Sequence, residues 1–124
     1  MLNTHYPPNQ PTAHRCCEVG RVIKDTIAAW KRDARVAVIA SGGLTHFVID
    51  EQFDRGLLRA LQDHDATTLR SIPQRLLNSG TSEVRSWITA AAALDDLRMT
   101  LIDYQPSYRT PAGTGVGMGF AEWR

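Results

Sequence analysis

Residues 35–46, with the sequence RVAVIASGGLTH, constrain the fold more than any other part of the chain. Residues 36–40 form a continuous apolar run, which is typical of a strand buried on both faces in a parallel α/β sheet. Ligands of such sheets bind beyond the carboxyl ends of the strands. Because Gly42 and Gly43 can take positive φ and allow close approach to the backbone, we expect Thr45 and His46 to emerge at a pocket. The alternative is a tight turn whose histidine only hydrogen-bonds a nearby carbonyl.

The length and net charge of the chain limit the classes of protein to which it can belong. The chain has 124 residues, which suits one domain, and its formal net charge is +1 without a basic stripe. Nucleic-acid binding through charge is therefore not expected. We find no apolar stretch that would span a membrane and no secretory signal, so the sequence predicts a cytoplasmic protein. The two cysteines, Cys16 and Cys17, are adjacent and are predicted to be reduced thiols rather than a disulfide.

Apolar periodicity predicts several helices. A stripe from Cys16 to Trp30 indicates a helix over residues 13–31 that packs on the strand at 36–40. Asp50 is expected to cap a second helix that ends near residue 62, and a shorter helix follows Asp65. A further helix is predicted at 81–94, with Val84, Trp87, Ile88 and Ala91 on its buried side.

Two strands and a tail complete the predicted α/β fold, a mixed sheet with flanking helices in one domain. Alternation favours a strand at 97–104, and residues 2–6 are a weaker candidate. Residues 1–105 are taken as the core. Residues 106–124 are predicted to be a glycine-rich loop anchored at its end, and their glycines match neither GxGxxG nor a phosphate-binding loop.

His46 is the first candidate for chemistry, because an unperturbed imidazole titrates near pH 6.5, at about ambient pH. Glu83 is the second, although an acid at a helix start also has a purely structural reading, the helix dipole. His5, His14 and His64 are expected to be surface residues. Arg109 is expected either to bind an anion or to pair with a surface carboxylate. No HExxH or GxSxG motif is present, so the sequence gives no support for a zinc protease or a serine hydrolase.

Four segments together resemble the carboxyl-terminal part of class III extradiol ring-cleavage dioxygenases. They are NTHYPPNQPT at 3–12, RVAVIASGGLTHF at 35–47, LLNSGTSEVRSWITAAAAL at 76–94 and YRTPAGTGVGMGFAEW at 108–123. The resemblance implies a non-haem Fe(II) held by two histidines and one glutamate, with a catechol-type substrate and O₂ at its open positions. By resemblance Glu83 is the carboxylate ligand. His46 is the acid/base that deprotonates the catechol and later protonates the oxygenated intermediate. Gly42, Gly43, Thr45 and Tyr108 would border the substrate pocket, and Thr45 stands where many relatives have serine.

The resemblance also implies that both iron-binding histidines belong to an amino-terminal half of the family, to which no residue here corresponds. We therefore expect a fragment of a longer enzyme, a subunit completed by another chain, or a relative that has lost the chemistry. The chain alone should be inactive, and its uncovered surfaces should favour a partner or self-association. Two alternatives stay open. One is a non-catalytic oligomeric interaction module that retains the fold, and the other is a small anion-binding domain that uses Gly42, Gly43 and Arg109.

Overall fold

The computed structural model describes residues 2–124 and contains four α-helices and three strands. The helices are α1 (Ala13–Ala29), α2 (Glu51–Gln62), α3 (Ala66–Ser71) and α4 (Val84–Ala93), and 3-10 turns cover Gln74–Leu77 and Ser79–Glu83. The strands are β1 (His46–Val48), β2 (Met99–Tyr108) and β3 (Thr114–Trp123). Within residues 2–124 there is no helix with the length and apolar character that crossing a bilayer would require.

The predicted helices form, and side chains cap the starts of α1 and α2, the second at Asp50 as expected. Thr12 Oγ1 accepts from Arg15 N at 3.1 Å, and Asp50 Oδ1 accepts from Phe53 N at 2.9 Å. On α4, Val84, Trp87, Ile88 and Ala91 are buried as predicted. Residues 81–83, however, belong to a 3-10 turn, so α4 begins at Val84.

The helix α1 packs against α4, and not against a strand at 36–40 as the sequence suggested. Their backbones approach closely at Gly20, where an added Cβ would lie 2.6 Å from Cβ of Ala92. Cys16 and Cys17 face this core as free, buried thiols, in line with the prediction. The helix ends at Ala29, two residues earlier than expected.

The expected buried strand at 36–40 is wrong. These residues form no strand in the structure, and Ile39 is 84% exposed and Val36 44% exposed. A strand needs hydrogen-bonding neighbours, and among the described residues none of the strands pairs with this segment. Residues 2–6 likewise form no strand: the chain bends at His5 and Tyr6, and Tyr6 N donates to Asn3 Oδ1 at 3.1 Å.

The loop predicted at 106–124 is wrong, because most of these residues belong to a β-hairpin. β2 continues to Tyr108, and β3 pairs antiparallel with both β2 and β1 in the order β1-β3-β2. Every second residue in part of β3 is a glycine, at Gly115, Gly117 and Gly119. Because alternate residues of a strand point to the same face, this face of β3 carries no side chains there. Core groups fill that space: a Cβ at Gly119 would touch Leu44 and Trp87 at 3.3 Å. The fold therefore combines helices with an antiparallel sheet, where a mixed sheet had been expected.

Candidate functional site

The diglycine turn lies between β3 and the start of α4. Leu44 N donates to Gly117 O at 2.7 Å, and Gly117 N donates to Thr45 O at 2.8 Å, which ties the turn to β3. Gly42 has a φ of 117°, a conformation that side-chain-bearing residues rarely adopt. The turn then enters β1 at His46.

Glu83 rests on this turn from the other side. Its carboxylate Oε2 accepts from Gly43 N at 3.1 Å, although the two residues are 40 positions apart in the chain. A Cβ on Gly42 would lie 2.6 Å from Cδ of Glu83, so the carboxylate occupies the space that a side chain would need. One helical turn later, Trp87 Nε1 donates to Gly42 O at 3.0 Å. Two side chains from the start of α4 thus hold the backbone of the turn.

The imidazole of His46 faces the same carboxylate. Its Nε2 lies 3.5 Å from Oε2 of Glu83, and its Nδ1 lies 3.0 Å from Leu44 O. Because a carbonyl can only accept, Nδ1 must carry the hydrogen of the neutral ring, and Nε2 then presents its lone pair. A lone pair and a carboxylate oxygen repel each other unless a proton or a cation lies between them. The side chains of His46 and Glu83 are 23% and 43% exposed, so this position is open to a ligand.

Asp54 supports the turn from within the core. Asp54 is fully buried. Its carboxylate accepts hydrogen bonds from Thr45 N at 3.0 Å, from Thr45 Oγ1 at 2.8 Å and from Tyr104 Oη at 2.8 Å. Burial raises the pKa of Asp54, and the hydrogen bonds from Tyr104 and Thr45 oppose that rise. Asp54 was not among the candidate residues predicted from the sequence. The available signal was an acid on the apolar stripe of α2, in register with Leu57, Leu58 and Leu61.

The structure brings together Gly42, Gly43, His46 and Glu83. The hydroxyl of Thr45 turns away from them toward Asp54. Tyr108 is also elsewhere: its hydroxyl donates to Glu51 Oε1 at 2.8 Å, at the start of α2. The other candidates lie apart from the turn, with His14 and His64 exposed and Arg109 beside the β2–β3 turn.

A cavity of about 480 Å³ adjoins the turn on its far side. Gly42 and Gly43 border it, and its remaining lining is mainly apolar, but neither His46 nor Glu83 is part of the wall. Within residues 2–124, no group of three or more histidine, cysteine, aspartate or glutamate side chains is arranged to hold a metal ion. The site contributed by these residues is thus one carboxylate and one imidazole.

A carboxylate and an imidazole converging on a glycine turn define an acid–base or partial metal site on an α/β domain. The chain belongs to the family described as the catalytic LigB subunit of aromatic ring-opening dioxygenase, which it matches over residues 1–119. The resemblance drawn from the sequence is thereby confirmed at the level of the family. The chain is also similar to a gallate dioxygenase of Pseudomonas putida, with 38% identity over 42 residues. That match covers 34% of this chain and 12% of the relative.

Proposed function

We propose that this chain contributes Glu83 and His46 to the active site of an Fe(II)-dependent extradiol dioxygenase that cleaves a catechol-type ring with O₂. The observation that carries the proposal is the 3.5 Å approach of His46 Nε2 to Glu83 Oε2 at an open position, in a chain of the ring-opening dioxygenase family. Two lone-pair atoms in this arrangement call for a proton or a cation.

The residues fit part of an iron site. A carboxylate oxygen and imidazole nitrogens are ligands that suit non-haem Fe(II). Glu83 would bind the metal, with Oε2 held in place by Gly43 N. The two histidine ligands that the resemblance implies would come from polypeptide other than the residues described here. When bound, the iron would supply the redox chemistry with O₂ and a site for the catechol oxygens.

His46 would move the proton. With the hydrogen of the neutral ring held on Nδ1 by Leu44 O, Nε2 is free to take a proton from a catechol hydroxyl. Nε2 would later return the proton to an oxygen of the reacting substrate. Gly42 and Gly43 would let the aromatic ring approach the backbone.

Oxygen uptake tests the proposal. The chain is loaded with Fe(II) without air and then mixed with aerated protocatechuate, gallate or a substituted catechol. We expect no turnover from the 124-residue chain, and turnover when a polypeptide carrying the two histidine ligands is co-expressed with it. In that complex, Glu83→Gln should lose both iron and activity. His46→Gln should keep iron and slow turnover by about 10²- to 10⁴-fold.

Two matched substitutions serve as controls. Glu122→Gln alters a carboxylate that pairs with Arg124, and His14→Gln alters an exposed histidine of α1. Both should leave iron content and turnover unchanged. Turnover by the purified chain alone would contradict the incomplete site, and full activity of Glu83→Gln would exclude this residue as a ligand.

A second candidate function, a non-catalytic interaction module, is favoured by the exposed apolar side chains. Ile39, Phe47, Val48 and Ile102 are each more than 60% exposed. Light scattering combined with metal analysis separates the two functions. Stoichiometric iron would support the dioxygenase site, whereas a tight metal-free oligomer that Ile39→Lys dissociates would support the module.

A further inference from the structure

We propose that Asp54 is a positioning residue for His46, and that it acts through the single peptide unit between Leu44 and Thr45. The role of His46 as an acid/base rests on the proposed function, whereas the positioning of its ring by Asp54 is a property of this chain. Nothing in the family match or in the gallate dioxygenase similarity assigns a role to Asp54.

Both ends of that peptide unit are hydrogen-bonded. Its N–H, on Thr45, donates to Asp54 Oδ1 at 3.0 Å. Its C=O, on Leu44, accepts from His46 Nδ1 at 3.0 Å. Because a trans peptide is planar and directs its N–H and C=O in opposite directions, Asp54 sets the plane that presents the carbonyl to the imidazole. A carboxylate on the N–H also polarises the peptide and strengthens the carbonyl as an acceptor.

The second contact fixes Thr45 against rotation. Thr45 Oγ1 accepts from Asp50 N at 3.0 Å, so its own hydrogen is left for Asp54 Oδ2 at 2.8 Å. Tyr104 adds a third donor to the same carboxylate at 2.8 Å. Three donors converge on Asp54, and an ionised carboxylate is the acceptor-only group that satisfies them all.

The surroundings leave little freedom for this carboxylate. Asp54 is fully buried, and a Cβ at Gly117 would collide with its Oδ2. Burying a carboxylate is unfavourable unless its hydrogen bonds are made. An apolar residue would continue the buried stripe of α2 at lower cost, which is why we assign the acid to the orientation of the turn.

The consequence at the site is the tautomer of His46. With the Leu44 carbonyl held toward Nδ1, the neutral ring carries its hydrogen there and directs the Nε2 lone pair toward Glu83. If the peptide plane were released, either nitrogen could carry the hydrogen.

Imidazole ¹⁵N spectra of the metal-free chain test the proposal at about pH 9, where an ordinary histidine is neutral. We expect the Nδ1–H tautomer of His46 in the unaltered chain and a mixture of tautomers in Asp54→Asn. The Thr45 amide should exchange with solvent about tenfold faster in that variant, because its acceptor is weakened. Thr45→Ser keeps the hydroxyl and should behave as the unaltered chain does.

Tyr104→Phe is the matched control, because it removes a hydrogen bond from the same carboxylate without touching the peptide unit. It should lower the melting temperature and leave the His46 tautomer unchanged. The proposal fails if Asp54→Asn loses stability while tautomer and Thr45 exchange stay as they were. It fails equally if the unaltered chain carries the hydrogen on Nε2, a result that needs no variant to fold. All readouts are metal-free, so failure here and failure of oxygen uptake are separate results.

Discussion

Gly42→Ala is predicted to destabilise the chain and to dislodge Glu83. At a φ of 117° an alanine pays about 1–3 kcal/mol of backbone strain. Its methyl would also lie 2.6 Å from Cδ and Oε2 of Glu83, where carbon contacts are normally about 3.5–4.0 Å. The carboxylate must therefore move off Gly43 N, which costs about 1 kcal/mol more. The gain from a stiffer unfolded chain, about 0.4–1 kcal/mol, offsets only part of this, so we expect a net loss of about 1–3.5 kcal/mol.

Gly56→Ala is the matched control for this substitution. Gly56 lies within α2, and a Cβ there would meet nothing within 4 Å. Alanine should stabilise the helix by about 1 kcal/mol, since glycine is the poorer helix former. Urea unfolding of both variants gives the free energies directly. If both substitutions shift stability in the same direction, or if Gly42→Ala costs less than about 0.5 kcal/mol, the packing of Glu83 against the turn is not as described.

Three further outcomes follow from buried polar groups. Arg85 is fully buried and donates to the carbonyls of Thr4, Pro11 and Leu77. Arg85→Ala should therefore lower the free energy of unfolding, measured in urea, by about 3 kcal/mol or more. A loss below about 1 kcal/mol would contradict these hydrogen bonds. Burial raises the pKa of Asp54 above the usual range of an aspartate, so the folded chain keeps this proton at pH values where the unfolded chain has lost it. The contribution of Asp54 to stability must then fall as pH rises from about 4 through its folded pKa, and the stability difference between the chain and Asp54→Asn, measured across that window, should show this slope. Burial also raises the pKa of Cys16 to about 11, so a thiol reagent at pH 8 should react at the rate of unfolding, and fast labelling of the native chain would refute the burial.

Local patterns predicted the helices because each helix is encoded by its own residues. The caps at Thr12 and Asp50 and the apolar spacing of α2 and α4 depend on neighbours within a few positions. The strands were harder, because pairing joins distant segments. The alternate glycines of β3 are typical of a loop by composition, but in the structure Leu44 and Trp87 fill the space beside Gly119. The apolar run at 36–40 has the composition of a buried strand, yet composition supplies no partner.

The sequence by itself determined the family, the helices, and the choice of His46 and Glu83 as the residues to examine. Only the tertiary structure decided that their side chains lie 3.5 Å apart, that Tyr108 binds Glu51 instead, and that Asp54 is a buried acceptor for three donors. The physical reason is the range of the interactions. Caps and periodicity act over one or two helical turns, whereas a hydrogen bond between Gly43 and Glu83 depends on how the whole chain between them packs.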